Sequence, residues 1–278
     1  MMKPVKEKPM SNALKISLIS ISAALYAVAI ALTSFIPTPW GVGNFRPGVL
    51  IPAFFAIVYG PFIGGVGAAI GCFIGDFALS LFNLTNPVLS LMAGVPANFV
   101  GFYLLGWLFS RHPSWSSFII SSFIALVIGN LIAALGVVGF FSTVIPIWAT
   151  WPLDVKVATI VGFTFFWVAT MVPFVIPLMP SLIKAVKPMV IASSGNLSDK
   201  EISWGKPTDV LKSTVVVSLI LAALYLIVMY TPSGDLIFST AIYLETTFWV
   251  KTFLLISSAI IITFGVIAAI FIHQRVST

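Results

Sequence analysis

Apolar residues run along this chain in eight blocks, separated by short stretches of proline, glycine and charge. Most blocks approach the roughly 20 residues that cross a bilayer as a helix. The pattern predicts helical spans at about Leu14–Ile36, Pro47–Tyr59, Pro61–Phe82, Pro87–Phe109, Ser117–Phe141, Val155–Ile183, Thr214–Tyr230 and Trp249–His273. The second block is short and opens on a proline. The sixth carries Pro173, Pro177 and Pro180 near its end, each lacking a backbone donor, which predicts a kink or a stop there. The stretch SSGNLSDKEISWGKP is polar and rich in breakers, so Lys184–Ser213 is expected to be a linker. The chain thus divides into a six-span unit over residues 1–183, a cytoplasmic linker over 184–213 and a two-span appendage over 214–278. Ahead of the eighth span, Ile237, Ala241, Leu244 and Phe248 fall on one helical face, with Tyr243 and Trp249 suited to the headgroup region, which predicts a helix lying along the outer interface.

Composition narrows the class. Only 8% of the 278 residues are charged and 59% are hydrophobic, against about 25% charged in a soluble domain; mean hydropathy is +1.12. A chain this poor in charge cannot cover itself in water, so the fold class is an all-α integral membrane protein. The net charge of +6 does not point to nucleic acid. Lys3, Lys6, Lys8, Lys15, Arg111, Lys184, Lys187, Lys200, Lys206, Lys212 and Arg275 fall on one side of the alternating spans, and Arg46, Lys156 and Lys251 on the other. The positive-inside bias then predicts a multi-pass protein of the plasma membrane with both termini cytoplasmic. The basic start MMKPVKEKPMSNALK leads into a long apolar block with no early small-residue cleavage site, and is read as a retained tail. The single cysteine, Cys72, permits no internal disulfide, and no metal or cofactor spacing is present.

The segment GPFIGGVGAAIGCFIGD, from Gly60 to Asp76, sharpens the reading. Gly60, Gly64, Gly67, Gly71 and Gly75 are three or four residues apart and form one stripe on a helix. Between helices in lipid, small residues permit close van der Waals approach, so the stripe predicts a central packing helix. It is not a phosphate loop: the order departs from G-x-G-x-x-G, and no G-x-x-x-x-G-K-[ST] occurs, so the chain itself should not bind ATP. Enzymatic chemistry is not expected either. His112 and His273 sit at span ends, with no H-E-x-x-H and no serine–histidine pairing.

The arrangement resembles the substrate-binding S components of energy-coupling factor (ECF) vitamin transporters. The resemblance rests on FRPGVLIPAFFAIVYGPFIGGVGAAIGCFIGD, in which Tyr59-Gly60-Pro61 turns into a glycine-rich helix ending at Gly75-Asp76, and on NPVLSLMAGVPANFVGFYLLGWLF from Asn86 to Phe109. It covers about residues 12–183. It implies a six-helix bundle without catalytic activity, a pocket open to the outside, and partnership with a transmembrane T component and two cytoplasmic ATPases. It further implies that Ala23, Ala27 and Ala31, matching the family's alanine pattern in the first helix, dock on the T component; their spacing of four makes one small-residue stripe, which suits packing on the protein's own helices as well. The spans beyond residue 214 have no counterpart in that pattern.

Candidate substrate contacts follow from an outer pocket. The first outer loop brings together Trp40, Asn44 and Arg46, on a proline- and glycine-rich stretch able to cap a ligand. A later one brings together Trp148, Trp151, Asp154 and Lys156; two tryptophans three apart can clamp a flat heterocycle or simply belong to an interfacial belt. Asn98 and Asn130, midway along their spans, must find partners across helices or line a polar pocket. Asn83 and Asn86 are weaker candidates. Asp76 lies roughly 22 Å above the inner turn at 1.5 Å per residue, where a carboxylate costs less than the about 2.5–3.5 kcal/mol of the bilayer centre. Pairing with Arg46, ligand contact and interfacial exposure all remain open for it. The expected function is the substrate-specificity subunit of an ECF-type importer for a small water-soluble vitamin, riboflavin and thiamine being aromatic examples. The alternatives are a secondary transporter, a structural membrane protein or, with least support, an intramembrane enzyme.

Overall fold

The computed structural model describes residues 10–194, 202 and 205–277. Its principal helices are α1 (Asn12–Thr33), α2 (Leu50–Tyr59, preceded by the 3₁₀ turn Pro47–Val49), α3 (Pro61–Ser80), α4 (Pro87–Arg111), α5 (Trp115–Val144), α6 (Leu153–Ser194), α7 (Pro207–Tyr230) and α8 (Leu244–Ser277). Short helical turns at Pro146–Ala149 and Pro232–Phe238 join α5 to α6 and α7 to α8. An isolated β-bridge joins Pro37 and Asn44. The protein is an all-α membrane bundle.

Seven of the helices, not eight, are long and apolar enough to cross a membrane. The exception is α2. With its 3₁₀ turn it has 13 residues, or about 20 Å at 1.5 Å per residue, against a hydrocarbon core of about 30 Å. It is instead wedged inside the bundle, with Ala53, Phe54, Phe55 and Ala56 buried against α3, α4 and α6.

α1 lies along α3, α3 on α4, α4 on α5 and α5 on α6. The closest approach follows the glycines of α3. A Cβ built on Gly67 would meet Ser22 Oγ at 2.6 Å, one on Gly71 would meet the Ala23 carbonyl oxygen at 2.7 Å, and one on Gly75 would meet Ile30 Cβ at 2.9 Å. A Cβ on Gly64 would run into the backbone of Ala56 in α2. Gly60 leaves the stripe: a Cβ there would meet nothing within 4 Å, but its φ of +99° is needed for the turn between α2 and α3. This packing also covers Ala23 and Ala27, which are buried against the chain's own α3, while Ala31 is partly exposed. Two of the three alanines of the expected docking stripe thus face inward, because glycines on α3 admit the α1 backbone itself.

Three further expectations are revised. α6 runs through Pro173, Pro177 and Pro180 without interruption as far as Ser194, a tolerance common in membrane helices because neighbours re-satisfy freed backbone groups. At 42 residues it is about 63 Å long and must project beyond the hydrocarbon core. α7 begins at Pro207 rather than Thr214, since Pro at the first helical position and Asp209 in the first turn start a helix that hydropathy alone misses. The single apolar face proposed for Ile237, Ala241, Leu244 and Phe248 does not form, because the backbone breaks at Ser239–Tyr243. Within the expected linker, residues 195–201, 203 and 204, with Lys200, lie outside the described residues, as do the tail lysines Lys3, Lys6 and Lys8; most of the rest is helix, in the end of α6 and the start of α7.

α7 and α8 pack on each other and lean on α5 and α6. Hydroxyls tie the contact: Ser218 Oγ donates to the Ser258 carbonyl and Ser258 Oγ to the Ser218 carbonyl, each at 2.9 Å. Ser257 Oγ donates to the Ala169 carbonyl of α6 at 2.6 Å, and the Ser116 and Ser213 hydroxyls join α5 to α7 at 2.6 Å. Such interhelical bonds replace the hydrophobic drive that lipid removes.

The α1–α3 contact gives a direct test. Gly71→Ala forces a methyl onto the backbone of Ala23 and should cost about 1–3 kcal/mol, as overpacking does. Gly139→Ala, in α5 with nothing within 4 Å, should be neutral or stabilise by up to about 1 kcal/mol. Thermal unfolding in detergent compares the two; equal melting temperatures would contradict the packing.

Candidate functional site

A cavity of about 230 Å³ opens between the loop joining α1 to α2 and the loop joining α3 to α4. Gly41, Val42 and Gly43 line it from the first loop, and Asn83, Thr85 and Asn86 from the second. Its deeper wall is apolar, with Phe102, Leu105, Leu126, Val137 and Val175. One side is polar, and an ion pair organises that side.

Arg46, at the end of the first loop, bonds through Nη2 to Asp76 Oδ1 on α3. The other carboxylate oxygen, Oδ2, accepts from Ser90 Oγ at 2.6 Å and from Cys72 Sγ at 3.4 Å. Arg46 Nη1 reaches Cys72 Sγ at 3.4 Å, and Thr85 Oγ1 donates to the Asp76 carbonyl. The two charged side chains are only 12% and 5% exposed, so this is not a solvent-screened surface pair. Burial alone would disfavour the Arg46 charge, but Asp76 more than offsets it and raises the guanidinium pKa above its ordinary value.

Ser90 reaches Asp76 through a local irregularity. Ser90–Gly94 is a π-helical turn inside α4. Pro96 lies four residues after Met92 and has no N–H to offer its carbonyl, which favours a widened turn just ahead of it. Gly94 completes the fit, since a Cβ there would meet Cys72 Sγ at 2.9 Å. One turn on, Asn98 Nδ2 donates to the Gly94 carbonyl at 2.8 Å, and Tyr26 OH of α1 donates to Asn98 Oδ1 at 2.9 Å. Asn130 of α5 is buried and donates from Nδ2 to Met171 Sδ of α6 at 3.3 Å.

Arg46, Asp76, Asn98 and Asn130, together with Asn83 and Asn86, line the cavity. Asn86 also caps α4, accepting from the amides of Val88 and Leu89. The remaining candidates lie elsewhere. Asn44 is buried, its carbonyl accepting from Trp167 Nε1 at 3.1 Å. Trp40 is packed against Phe163 and Phe238 away from the cavity. Trp148 and Trp151 stack on each other with centroids 4.4 Å apart, which leaves no gap for a third ring. They and Asp154 and Lys156 are not part of the cavity wall; Lys156 Nζ donates to the Ala149 carbonyl at 3.0 Å. Tyr26, Ser90 and Trp167 were missed as wall residues. The proline inside the fourth apolar block was the one available signal, because it marks where α4 changes its helical phase.

Residues 10–144 match the model of the family described as ECF-type riboflavin transporter, S component. Over this segment, just under half of its length, the chain is similar to the ECF S components. No curated protein and no solved structure matches the chain. The S-component segment ends at the last residue of α5 and holds Tyr26, Arg46, Asp76, Ser90, Asn98 and Asn130, so nearly all of the polar wall lies inside it. Only α6, through Trp167, Met171 and Val175, adds to the wall from beyond it. S components are substrate-binding subunits of vitamin transporters and not an enzyme family.

The ion pair predicts a non-additive mutant cycle. Arg46→Met or Asp76→Leu alone leaves a buried charge unanswered and should cost about 3–5 kcal/mol, whereas the double variant should recover much of that loss. Unfolding in detergent measures all three; additive losses would show that the pair does not act as a unit.

Proposed function

We propose that the chain binds riboflavin, or a closely related flat vitamin, from the outside of the plasma membrane. On this reading it passes the vitamin inward when assembled with a T component and two ATPases. The observation that carries the proposal is the cavity itself, with an apolar floor and one polar side, within a segment that matches a riboflavin S-component family. A flat ring system fits against Phe102, Leu126 and Val137, while Asn98, Asn130 and Ser90 offer amide and hydroxyl groups to a polar rim. No residue performs chemistry; selectivity comes from matched hydrogen bonds and buried apolar area.

The basic residues support the orientation. Lys15, Arg111, Lys184, Lys206 and Lys212 sit at the end of the bundle opposite the cavity mouth, which becomes the cytoplasmic end by the positive-inside rule. Both termini then face the cytoplasm. The outward flank of α1, with Ile16, Val28 and Leu32 exposed, is available to lipid or to a T component, and Ala31 is the member of the alanine set still within reach of it.

Titration of the purified protein with riboflavin, followed by quenching of flavin fluorescence, tests the substrate. Asn98→Leu and Asn130→Leu should each weaken binding about tenfold, equivalent to about 1.4 kcal/mol. Trp148→Phe and Asp154→Asn, off the cavity wall, should leave affinity unchanged. Failure of the unaltered protein to bind riboflavin would end the substrate assignment, and uptake in vesicles lacking the ATPases would end the coupling assignment.

A further inference from the structure

The first loop is folded on itself and held from outside. Within it, Thr38 N donates to the Gly43 carbonyl at 3.0 Å, Thr38 Oγ1 to the Val42 carbonyl at 2.7 Å, and Phe45 N to the Ile36 carbonyl at 2.8 Å. This places Gly41, Val42 and Gly43 at the cavity mouth. The outer face of the same loop is gripped by the connection between α7 and α8. The amides of Ile242 and Tyr243 both donate to the Pro39 carbonyl, at 2.8 and 2.9 Å. Trp40 Nε1 donates to Thr240 Oγ1 at 3.0 Å, and that hydroxyl lies 3.0 Å from Thr159 Oγ1 of α6. The Trp40 ring stacks on Phe238 at 5.6 Å and packs on Phe163 at 4.4 Å. Gly41, with φ of +73°, sits so close beneath Ile242 that a Cβ there would meet its Cδ1 at 2.8 Å.

These contacts join the first loop to the α7–α8 connection across 200 residues. Phe238, Thr240, Ile242 and Tyr243 all lie beyond the segment that matches the S-component family. We propose that the segment Pro232–Tyr243, carried by the two added membrane helices, is a strap. It holds the first loop across the cavity mouth and so sets how fast a ligand enters and leaves. This inference rests on reading the cavity as the ligand site. α7 and α8 supply the fixed support, through their hydroxyl contacts to α5 and α6. The strap acts on the loop that carries Arg46, and thus on the same loop that closes the ion pair.

Thr240→Val removes the hydrogen bond to Trp40 while keeping its shape, and Trp40→Phe removes it from the other end. In hydrogen-exchange mass spectrometry without ligand, each should speed exchange of the amides in residues 36–46 about three- to tenfold, the factor one hydrogen bond is worth. The double variant should match the singles. With riboflavin as probe, stopped-flow fluorescence should show association and dissociation both accelerated, with the Kd changed much less than either rate. Damage to the wall itself would instead change Kd. Unchanged exchange in residues 36–46, or faster exchange spread evenly through the protein, would overturn the strap. Faster exchange confined to that loop supports it even if riboflavin does not bind, a result that would count against the substrate assignment alone.

Discussion

The buried ion pair between Arg46 and Asp76 is the constraint on which the cavity depends. It joins a loop to the far end of α3, and the carboxylate also receives the Ser90 hydroxyl from α4. Three separate parts of the chain therefore meet on one residue. Two charges withdrawn from water cost several kcal/mol each, and here each charge answers the other while the carboxylate also accepts from Ser90 and Cys72. A hydrophobic replacement would pack more cheaply. The charges are better understood as fixing one geometry for a mouth built largely of loop.

That geometry needs a rigid post, and the glycines of α3 supply it. With no Cβ at Gly67, Gly71 or Gly75, α1 lies against α3 almost backbone to backbone. This fixes the height of Asp76 relative to Tyr26, which in turn donates to Asn98. The polar wall is thus an outcome of helix spacing as much as of polar side chains. The two added helices extend the same logic to the other side of the mouth, where Trp40 is held by Thr240 and Phe238.

Much of this was legible in the sequence because lipid imposes simple rules. Apolar block length gave the spans, and glycine spacing gave the face of α3 that packs tightly. An aspartate ending that stripe and an arginine in the preceding loop were visible as a pair of charges on one side of the membrane. Features that depend on helical phase were not legible. Ser90 faces Asp76 only because of the π turn before Pro96. Trp148 and Trp151 have the spacing of a clamp, yet they satisfy each other. Ala23 and Ala27 look like an outward groove until the glycines opposite draw them inside. In each case a residue pattern admitted two neighbours, and only the packing chose between them. The short α2 was misjudged for a different reason: hydropathy reports burial, and a wedge inside the bundle is as apolar as a span.

The central claim is that the cavity behind the Arg46–Asp76 pair holds one small water-soluble molecule. Native mass spectrometry of the protein, taken from membranes in mild detergent and then offered riboflavin, tests it most directly. The account predicts a one-to-one complex with the added mass of a flavin, present in the unaltered protein and diminished by Asn98→Leu. Only the bare chain, after exposure to riboflavin and to other vitamins at concentrations well above those at which S components would be filled, would contradict it.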